Sequence, residues 1–566
     1  MSKIRNFHLR NLFFLLEIDK IGFWLNGLII TFFSTLVFGA EILFALTLQR
    51  FLVSVDLLQD LDNTRILGNI RNPIFEASIL LIVLIFRLIF IGLNSTFNGY
   101  GYARFENKVR TRIAFSVFTS PTNEVSKISY LLNEISLGSS NFVSTIYLFL
   151  SRFSALVFLL SSLIFYSWFI TLLIVLVCAV IYPLQKYFSL TIKEISSQIL
   201  KLAEESSRTV LAGARNYVFL KVRKSDKSEF EKASSNFLKI LNLRKRFYTF
   251  AAMRSSIPQI LGVIFVVLIA AGPLSTKLDN RSEIVPFLYL LLRFFVSLGD
   301  ILRAASHLRL DYPRVIELKN WLHANKIDIN ATNFRSQQIT PIIPGFLINS
   351  VEYQTPGDSQ NLVYKNLLIP PGLITHVKGK NGSGKSSLLM LIAGIVEPST
   401  GEIICTSFDS EKLESQNKEI ELFDCKNKIN TAYVGTNPVL ISGSIRDNII
   451  YGINDALSDS EIEIAAKVFG LFDFSENEFS LNKTITEDGR GLSAGQIQKI
   501  SWTRALLSKP NLLIADEATS NLDADSKERV FDWMVSLKGK VTTIIVDHNV
   551  EKLNWIDKEI DLDTKA

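Results

Sequence analysis

Six stretches before residue 312 stay apolar for long enough to cross a bilayer, whose core of about 30 Å needs roughly 20 mainly apolar residues in a helix. They run from Ile21 to about Gln49, Ile74 to about Asn98, about Asn141 to Phe165, Phe169 to Phe188, Ile257 to Pro273 and Ile284 to about Ile301. Only Tyr166-Ser167-Trp168 separates the third from the fourth. The first is longer than the apolar core of a secretory signal, about 7–15 residues, so it reads as a retained span. Beyond Tyr312-Pro313 the pattern changes. A polar stretch from His323 to Pro344 carries linker chemistry, with Asn330, Asn333, Ser336, Gln337, Gln338, Pro341 and Pro344. After it the apolar runs shorten to strand length, as in Leu373–Val377, Ala432–Val434, Leu512–Ala515 and Thr542–Val546. Alternation of such runs with helical patterns predicts an α/β domain with a largely parallel sheet. The expected organisation is an α-helical six-span domain over 1–322, a linker over 323–344 and an α/β domain over 345–566.

Charge orients the spans. Lys3, Arg5 and Arg10 precede the first, Arg104, Lys108, Arg110, Arg112 and Lys127 follow the second, and Arg244-Lys245-Arg246 precedes the fifth. The positive-inside rule makes these segments cytoplasmic and places the loop of Asp56, Asp60 and Asp62 outside. Both termini are then inside. The segment from Lys193 to Leu243 holds no proline or paired glycine and has apolar residues at helical spacing, among them Val218, Phe219, Val222, Phe230, Phe237 and Leu241. It reads as helix continuous with its spans, either transmitting motion or simply solvated.

Composition agrees with this division. Of 566 residues 48% are hydrophobic and 20% charged, the mean hydropathy is +0.27, and 41 Phe against 15 Pro exclude a disordered or collagenous chain. Cys178, Cys405 and Cys425 have no paired spacing, so neither a disulfide framework nor a zinc site is expected. A net charge of +6 is too small to indicate a nucleic-acid partner.

The second half carries phosphate chemistry. Gly379-Lys380-Asn381-Gly382-Ser383-Gly384-Lys385-Ser386-Ser387 fits G-x-x-x-x-G-K-[ST] between an apolar strand and a helical run, the context that motif requires. Its glycines let backbone N–H groups close around phosphate oxygens, Lys385 reaches the β/γ-phosphates, and the Ser386 hydroxyl suits Mg²⁺. Downstream, the strand Leu512–Ala515 ends in Asp516-Glu517. Asp516 can hold Mg²⁺ through water, and Glu517 can orient or deprotonate the attacking water. The fold expected here is a P-loop NTPase.

Leu492-Ser493-Ala494-Gly495-Gln496, twenty residues before Asp516, resembles the signature motif of ATP-binding cassette (ABC) proteins. Ser520-Asn521-Leu522-Asp523 resembles their D-loop, His548 their switch histidine, and Thr486-Glu487-Asp488-Gly489 the X-loop of exporter-type members. Six spans ahead of a cassette, which covers about Phe346 to Lys552, resemble the half-transporter layout of ABC exporters. The resemblance implies an ATPase coupled to transport, multi-pass in a cytoplasmic membrane among its lipids. Two cassettes would pair head to tail, so that Ser493 and Gly495 of one subunit meet the γ-phosphate held by the other, with Gln496 and Asp523 in the nucleotide-contacting set. A second half-transporter is therefore required, expected as a homodimer.

Some residues depart from the family pattern. Tyr433-Val434-Gly435-Thr436-Asn437-Pro438 carries Thr436 where the Q-loop glutamine stands, Ala494 replaces a glycine, and Asp547 precedes His548 where small residues are usual. The adenine-stacking aromatic is Tyr353, unless strict counting from Val351 holds; that puts the position on Thr355 and leaves Tyr353 to the core. These departures admit a heterodimer in which this chain supplies a weakened site, or a cassette-gated regulator. Glu41, Arg87, Arg152 and Arg293 lie inside apolar spans, where they either face a cargo cavity or form structural pairs. Deep basic residues suit an anionic head group. The stretches Arg215–Phe237 and Leu291-Leu292-Arg293-Phe294 look similar to lipid-linked oligosaccharide flippases, so the expected cargo is lipid-linked or otherwise amphipathic, with peptides or small hydrophobic compounds as the alternative. No protease-like domain precedes the first span, which argues against a peptidase-containing peptide exporter.

Overall fold

The structure, a computed structural model, describes residues 9–55, 57, 72–119, 125–271, 284–324, 342–354, 361–408, 419–421, 428–436, 438–453, 455–472, 480–487, 489–547 and 554–563. They belong to two compact units, Met1–Phe334 and Arg335–Ala566. Lys3 and Arg5, the aspartates at 56, 60 and 62, Pro273 and the linker centre at 325–341 lie outside the described residues.

The first unit is helical. In chain order it contains α1 (Leu9–Ser54), α2 (Pro73–Thr119), α3 (Val125–Tyr130) with a π-helical turn at Leu131–Ile135, α4 (Ser136–Tyr166), α5 (Trp168–Arg215), α6 (Tyr217–Val222), α7 (Asp226–Ala271) and α8 (Ile284–Ala324). Six are long and apolar enough to span a membrane: α1, α2, α4 with its lead-in, α5, α7 and α8. Their outward faces stay apolar, as at Leu81, Phe86 and Leu88 of α2 and Leu176 and Val180 of α5. Such a surface needs lipid or a partner protein to cover it. The 48 residues of α5 extend roughly 70 Å, more than twice the hydrocarbon thickness. Helix therefore continues well beyond the span.

Two breaks have identifiable causes. Between α4 and α5 only Ser167 leaves the helix, at φ −163° and ψ 103°. The segment from Lys193 to Leu243, expected as unbroken helix, turns at Asn216 and again at Lys224, whose φ is +55°. Asn and Ser at such sites favour turns over helix interior. The short α6 between them exposes Tyr217, Phe219 and Val222.

Charge and small residues hold the spans together. α1 bends at Asp19 (φ −148°, ψ 70°), and this carboxylate is buried. It accepts from Gly22 N at 3.1 Å, Arg104 Nε at 2.8 Å and Lys108 Nζ at 2.6 Å. The intramembrane charges are paired across helices. Glu41 accepts from Arg87 Nε at 2.9 Å, lies 3.0 Å from Arg293 Nε and takes the Tyr289 hydroxyl. Asp300, overlooked in the sequence, sits 3.7 Å from Arg152 and 4.0 Å from Arg303. α7 and α8 approach closely where side chains vanish: a Cβ on Gly299 would lie 2.5 Å from the Ser255 carbonyl oxygen, and one on Gly262 would lie 2.7 Å from Phe295.

The second unit has an antiparallel sheet and a parallel one. The antiparallel sheet, in the order β2-β1-β4-β5, contains β1 (Ile343–Gln354), β2 (Asn361–Ile369), β4 (Ile403–Phe408) and β5 (Glu419–Glu421). The other runs β11-β3-β10-β9-β6, from β3 (Ile374–Lys378), β6 (Thr431–Gly435), β9 (Leu512–Asp516), β10 (Thr542–Val546) and β11 (Lys558–Asp561), with every described pairing parallel. The parallel sheet expected from the sequence is present. Its buried strands pack with α9 (Lys385–Ile392), α12 (Ala494–Leu507) and α13 (Ala524–Ser536). A smaller apolar cluster joins α10 (Ile445–Ile450), α11 (Asp459–Val468), Ile500 of α12 and the two-residue strand β8 (Thr484–Ile485), which pairs with β7 (Gly443–Ser444).

Gly299→Leu should push α7 from α8 and destabilise the membrane unit by about 1–3 kcal/mol. The readout is a lowered thermal midpoint of the detergent-solubilised chain; an unchanged midpoint would show that this crossing tolerates bulk.

Candidate functional site

Parallel register brings the chemistry to one edge. β9 pairs Asp516 with Val546 of β10 and with Gly435 of β6, so the three strands end level. The phosphate-loop residues follow β3, the neighbour of β10. Crevices outside the carboxyl ends of parallel strands are the usual ligand sites of such sheets.

Within the loop, Gly382 and Gly384 have φ of +86° and +89°, a region in which a side chain would be strained. Lys385 begins α9, and its ammonium donates to the carbonyls of Gly379 at 2.7 Å and Lys380 at 3.0 Å. Tyr364 of β2 donates to the Gly384 carbonyl at 2.8 Å, tying the antiparallel sheet to the loop. The Ser383 hydroxyl is buried with no hydrogen-bond partner among the described residues, as suits an oxygen-rich ligand. Lys380 N is held at 3.0–3.1 Å by the carboxylate of Asp563, near the chain's end and absent from the expected set.

Asp516 accepts from the Ser386 hydroxyl at 3.1 Å and from the Tyr433 hydroxyl at 3.2 Å. These two expected metal-site residues are thus in direct contact. Burial, with the Asp516 charge beside it, pushes the Tyr433 phenol up to about 12, so it remains a donor. Glu517 adopts φ +50°, unusual for a residue with a side chain, while its N–H is fixed by the Val546 carbonyl at 2.7 Å. Asp547, unexplained by the sequence, is buried. Its carboxylate takes the Thr519 hydroxyl, and its backbone oxygen lies 3.1 Å from His376 Nε2. It therefore braces the turn that presents Glu517.

The signature residues form a helix start. Ser493 caps α12, accepting from Gln496 N at 3.2 Å, while its own N–H donates to Gln496 Oε1 at 2.8 Å. That reciprocal pair is a capping box. Ser493 and Ala494 are exposed, so the extra methyl of Ala494 points to open surface, whereas a Cβ on Gly495 would lie 2.9 Å from the Asn521 carbonyl oxygen. Further contacts join this helix to residues 518–523. Gln498 Oε1 accepts from Asn521 N at 3.0 Å, Trp502 Nε1 donates to the Ala518 carbonyl at 3.0 Å, and Lys499 Nζ is 3.1 Å from Asp523. Ser526 and then Lys499 hold the Asp523 carboxyl well below the usual carboxylate range. Gln498, Lys499, Trp502 and Tyr433 carried no sequence signal, since each acts on a residue distant along the chain.

Tyr353 has two expected roles, stacking on adenine or filling the core. The Tyr353 ring is 9% exposed and belongs to the apolar core between the sheets. Burial of such a ring is worth about 1.5–3 kcal/mol. The alternative position, Thr355, and His548 and Asp488 lie outside the described residues. Thr436 is exposed and directly follows Gly435, beside the Asp516 strand end. Asn381 and Gly382 lie in the loop before α9, and Ser387 lies in the first turn of α9.

A family profile described as ABC transporter matches residues 364–520. The chain is 24% identical over 507 residues to an ATP-dependent lipid A-core flippase 2 of Colwellia psychrerythraea, covering 86% of this chain and 83% of that protein. It is 26% identical over 578 residues to an export ATP-binding/permease protein of Rickettsia bellii, covering 97% and 93%. The match to antigen peptide transporter 2 of Mus musculus is 31% identical but spans 230 residues, 38% of this chain and 30% of that protein.

Gly495→Val should displace the Asn521 backbone and lower ATP hydrolysis about tenfold, equivalent to about 1.4 kcal/mol, with ATP affinity unchanged. Turnover equal to the parent would show that the 520–523 loop moves aside without consequence.

Proposed function

We infer, for a chain that belongs to the ABC transporter family as an exporter-type half-transporter with ATPase activity coupled to transport, that two copies form the working unit. The observation that carries this reading is the separation of functions within one cassette. Among the described residues no hydrogen bond joins 492–496 to 379–387, although Ser493 stands exposed at the N-terminus of a 14-residue helix. A helix start of this kind receives anions. A second copy would offer its Ser493 and Gly495 to nucleotide held on Gly379–Ser387, with Asp523 and Gln496 supporting the contact.

In this reading Lys385 and the loop N–H groups bind the phosphates of ATP. The oxygens of Ser386 and Asp516 suit Mg²⁺, which prefers hard oxygen ligands and neutralises phosphate charge when bound. Glu517 takes the proton of the attacking water, and His548 steadies the γ-phosphate. The basic segments beside the spans support a cytoplasmic-membrane location with both termini and the cassette inside.

The cargo we infer is an anionic amphiphile, such as a lipid-linked oligosaccharide. Two carboxylates, Glu41 and Asp300, face four guanidiniums, those of Arg87, Arg293, Arg152 and Arg303. The excess positive charge within the span region supports an anionic head group. The extent of the match to a protein named as a lipid A-core flippase supports a lipid over a peptide. Thr436 favours a second reading, a heterodimer in which this chain supplies the slower site, because threonine's reach is shorter than glutamine's.

Glu517→Gln should lower ATPase turnover of the chain in nanodiscs by about 10²-fold or more, the usual weight of a general base. Negligible turnover of the parent alone would remove the homodimeric pump. A polyprenyl-pyrophosphate glycan should stimulate the parent ATPase and peptides should not; the reverse would replace the lipid reading. Thr436→Gln should raise cargo-stimulated turnover, and no change would locate the coupling role elsewhere.

A further inference from the structure

We propose that the cleft between α5, α7 and α8 is a binding site for an anionic membrane lipid, its phosphate seated on Arg254 and Arg309 and its acyl chain along the apolar wall. The cleft encloses about 290 Å³, near the lower end of the range for ligand pockets, enough for a head group and the first part of one chain. Ile181, Leu261, Leu298 and Leu302 form its apolar side; Arg254, Arg309 and Lys186 form its basic side.

The charge balance is what distinguishes this site. Arg254 is only 7% exposed, and a guanidinium does not lose its proton in proteins. Its partners are neutral: Nε donates to Gln185 Oε1 at 3.3 Å and Nη1 to the Ser306 hydroxyl at 3.0 Å. Arg309 donates to the Ser189 carbonyl at 3.5 Å. Among the described residues no carboxylate lies within ion-pair distance of Arg254, Arg309 or Lys186. The other buried arginine among the described residues, Arg314, has Glu134 and Asp311. A buried charge without a counter-ion is strongly unfavourable, and an anion in the cleft would supply one.

The backbone fixes Arg254 for this purpose. Pro258 has no N–H, so the Arg254 carbonyl one turn earlier lacks its helical donor. Gln185 Nε2 donates to that carbonyl at 3.3 Å. Both ends of the Gln185 amide are therefore engaged by Arg254, which is anchored through Nε and Nη1 while Nη2 has no acceptor among the described residues. The depth also fits. α5 leaves its apolar run near Phe188, and α7 enters its own at Ile257, just after Arg244-Lys245-Arg246. That is the level of the cytoplasmic head groups. The apolar wall selects a lipid over a soluble phosphate. The site is independent of the identity of the transported cargo.

Cys178 lines the cleft as a free thiol and reports its occupancy. The full chain is placed in nanodiscs of phosphatidylcholine, alone or with part replaced by phosphatidic acid, and maleimide modification of the Cys178 peptide is followed by mass spectrometry. Phosphatidic acid should slow labelling several-fold. The protection should be lost in Arg254→Gln/Arg309→Gln and kept in Arg254→Lys. Inorganic phosphate added to phosphatidylcholine discs should not protect. Equal protection by both lipids, protection that persists in the double variant, or protection by inorganic phosphate alone would each overturn the proposal. If the double variant fails to fold, Arg309→Gln alone must weaken protection, and full retention there has the same meaning.

Discussion

The cassette depends on the parallel pairing of β9 between β10 and β6. Because Asp516 is in register with both Val546 and Gly435, the chain segments leaving these strands emerge at one edge. A slip of one residue would turn every side chain of β9 to the opposite face, exchanging the positions of Leu512 and Ile514 with those of Leu513 and Ala515. The register is enforced by strands that are buried along nearly their whole length. Chemistry at the edge is therefore a consequence of apolar packing beneath it.

Around that edge, polar side chains keep the loops from adopting other conformations. Asp547 braces Thr519, Trp502 holds the Ala518 carbonyl, and Gln498 holds Asn521. Buried polar groups of this kind are costly unless satisfied, so each fixes the geometry of the turn it touches. The membrane unit applies the same rule with charges. Asp19 gathers Arg104 and Lys108 at the bend in α1, and Glu41 gathers Arg87, Arg293 and Tyr289 between spans. Without a hydrophobic force between helices in lipid, such pairs and close small-residue contacts carry much of the association. Arg254 stands out against this background because its partners are neutral.

Contiguous features were legible in the sequence. The phosphate loop occupies nine consecutive residues between a strand and a helix, and the spans are continuous apolar runs. The signature was equally readable, since a helix start needs only its own local capping pattern. Features assembled from distant segments were not legible: Tyr433 on Asp516, Asp563 on Lys380, Lys499 on Asp523. Tyr353 shows the limit clearly. Its alternation along β1 fits a strand, but which face met the core depended on packing with Tyr364 and its neighbours.

By itself the sequence determined six spans, their charge asymmetry, a P-loop domain and the order of its motifs, because each follows from local periodicity or composition. Only the tertiary structure decided that Ser386 meets Asp516, that the segment after α5 turns at Asn216, that the intramembrane acids are shared among arginines, and that Arg254 is buried without one. Those outcomes depend on which surfaces come together, and one-dimensional spacing does not specify that.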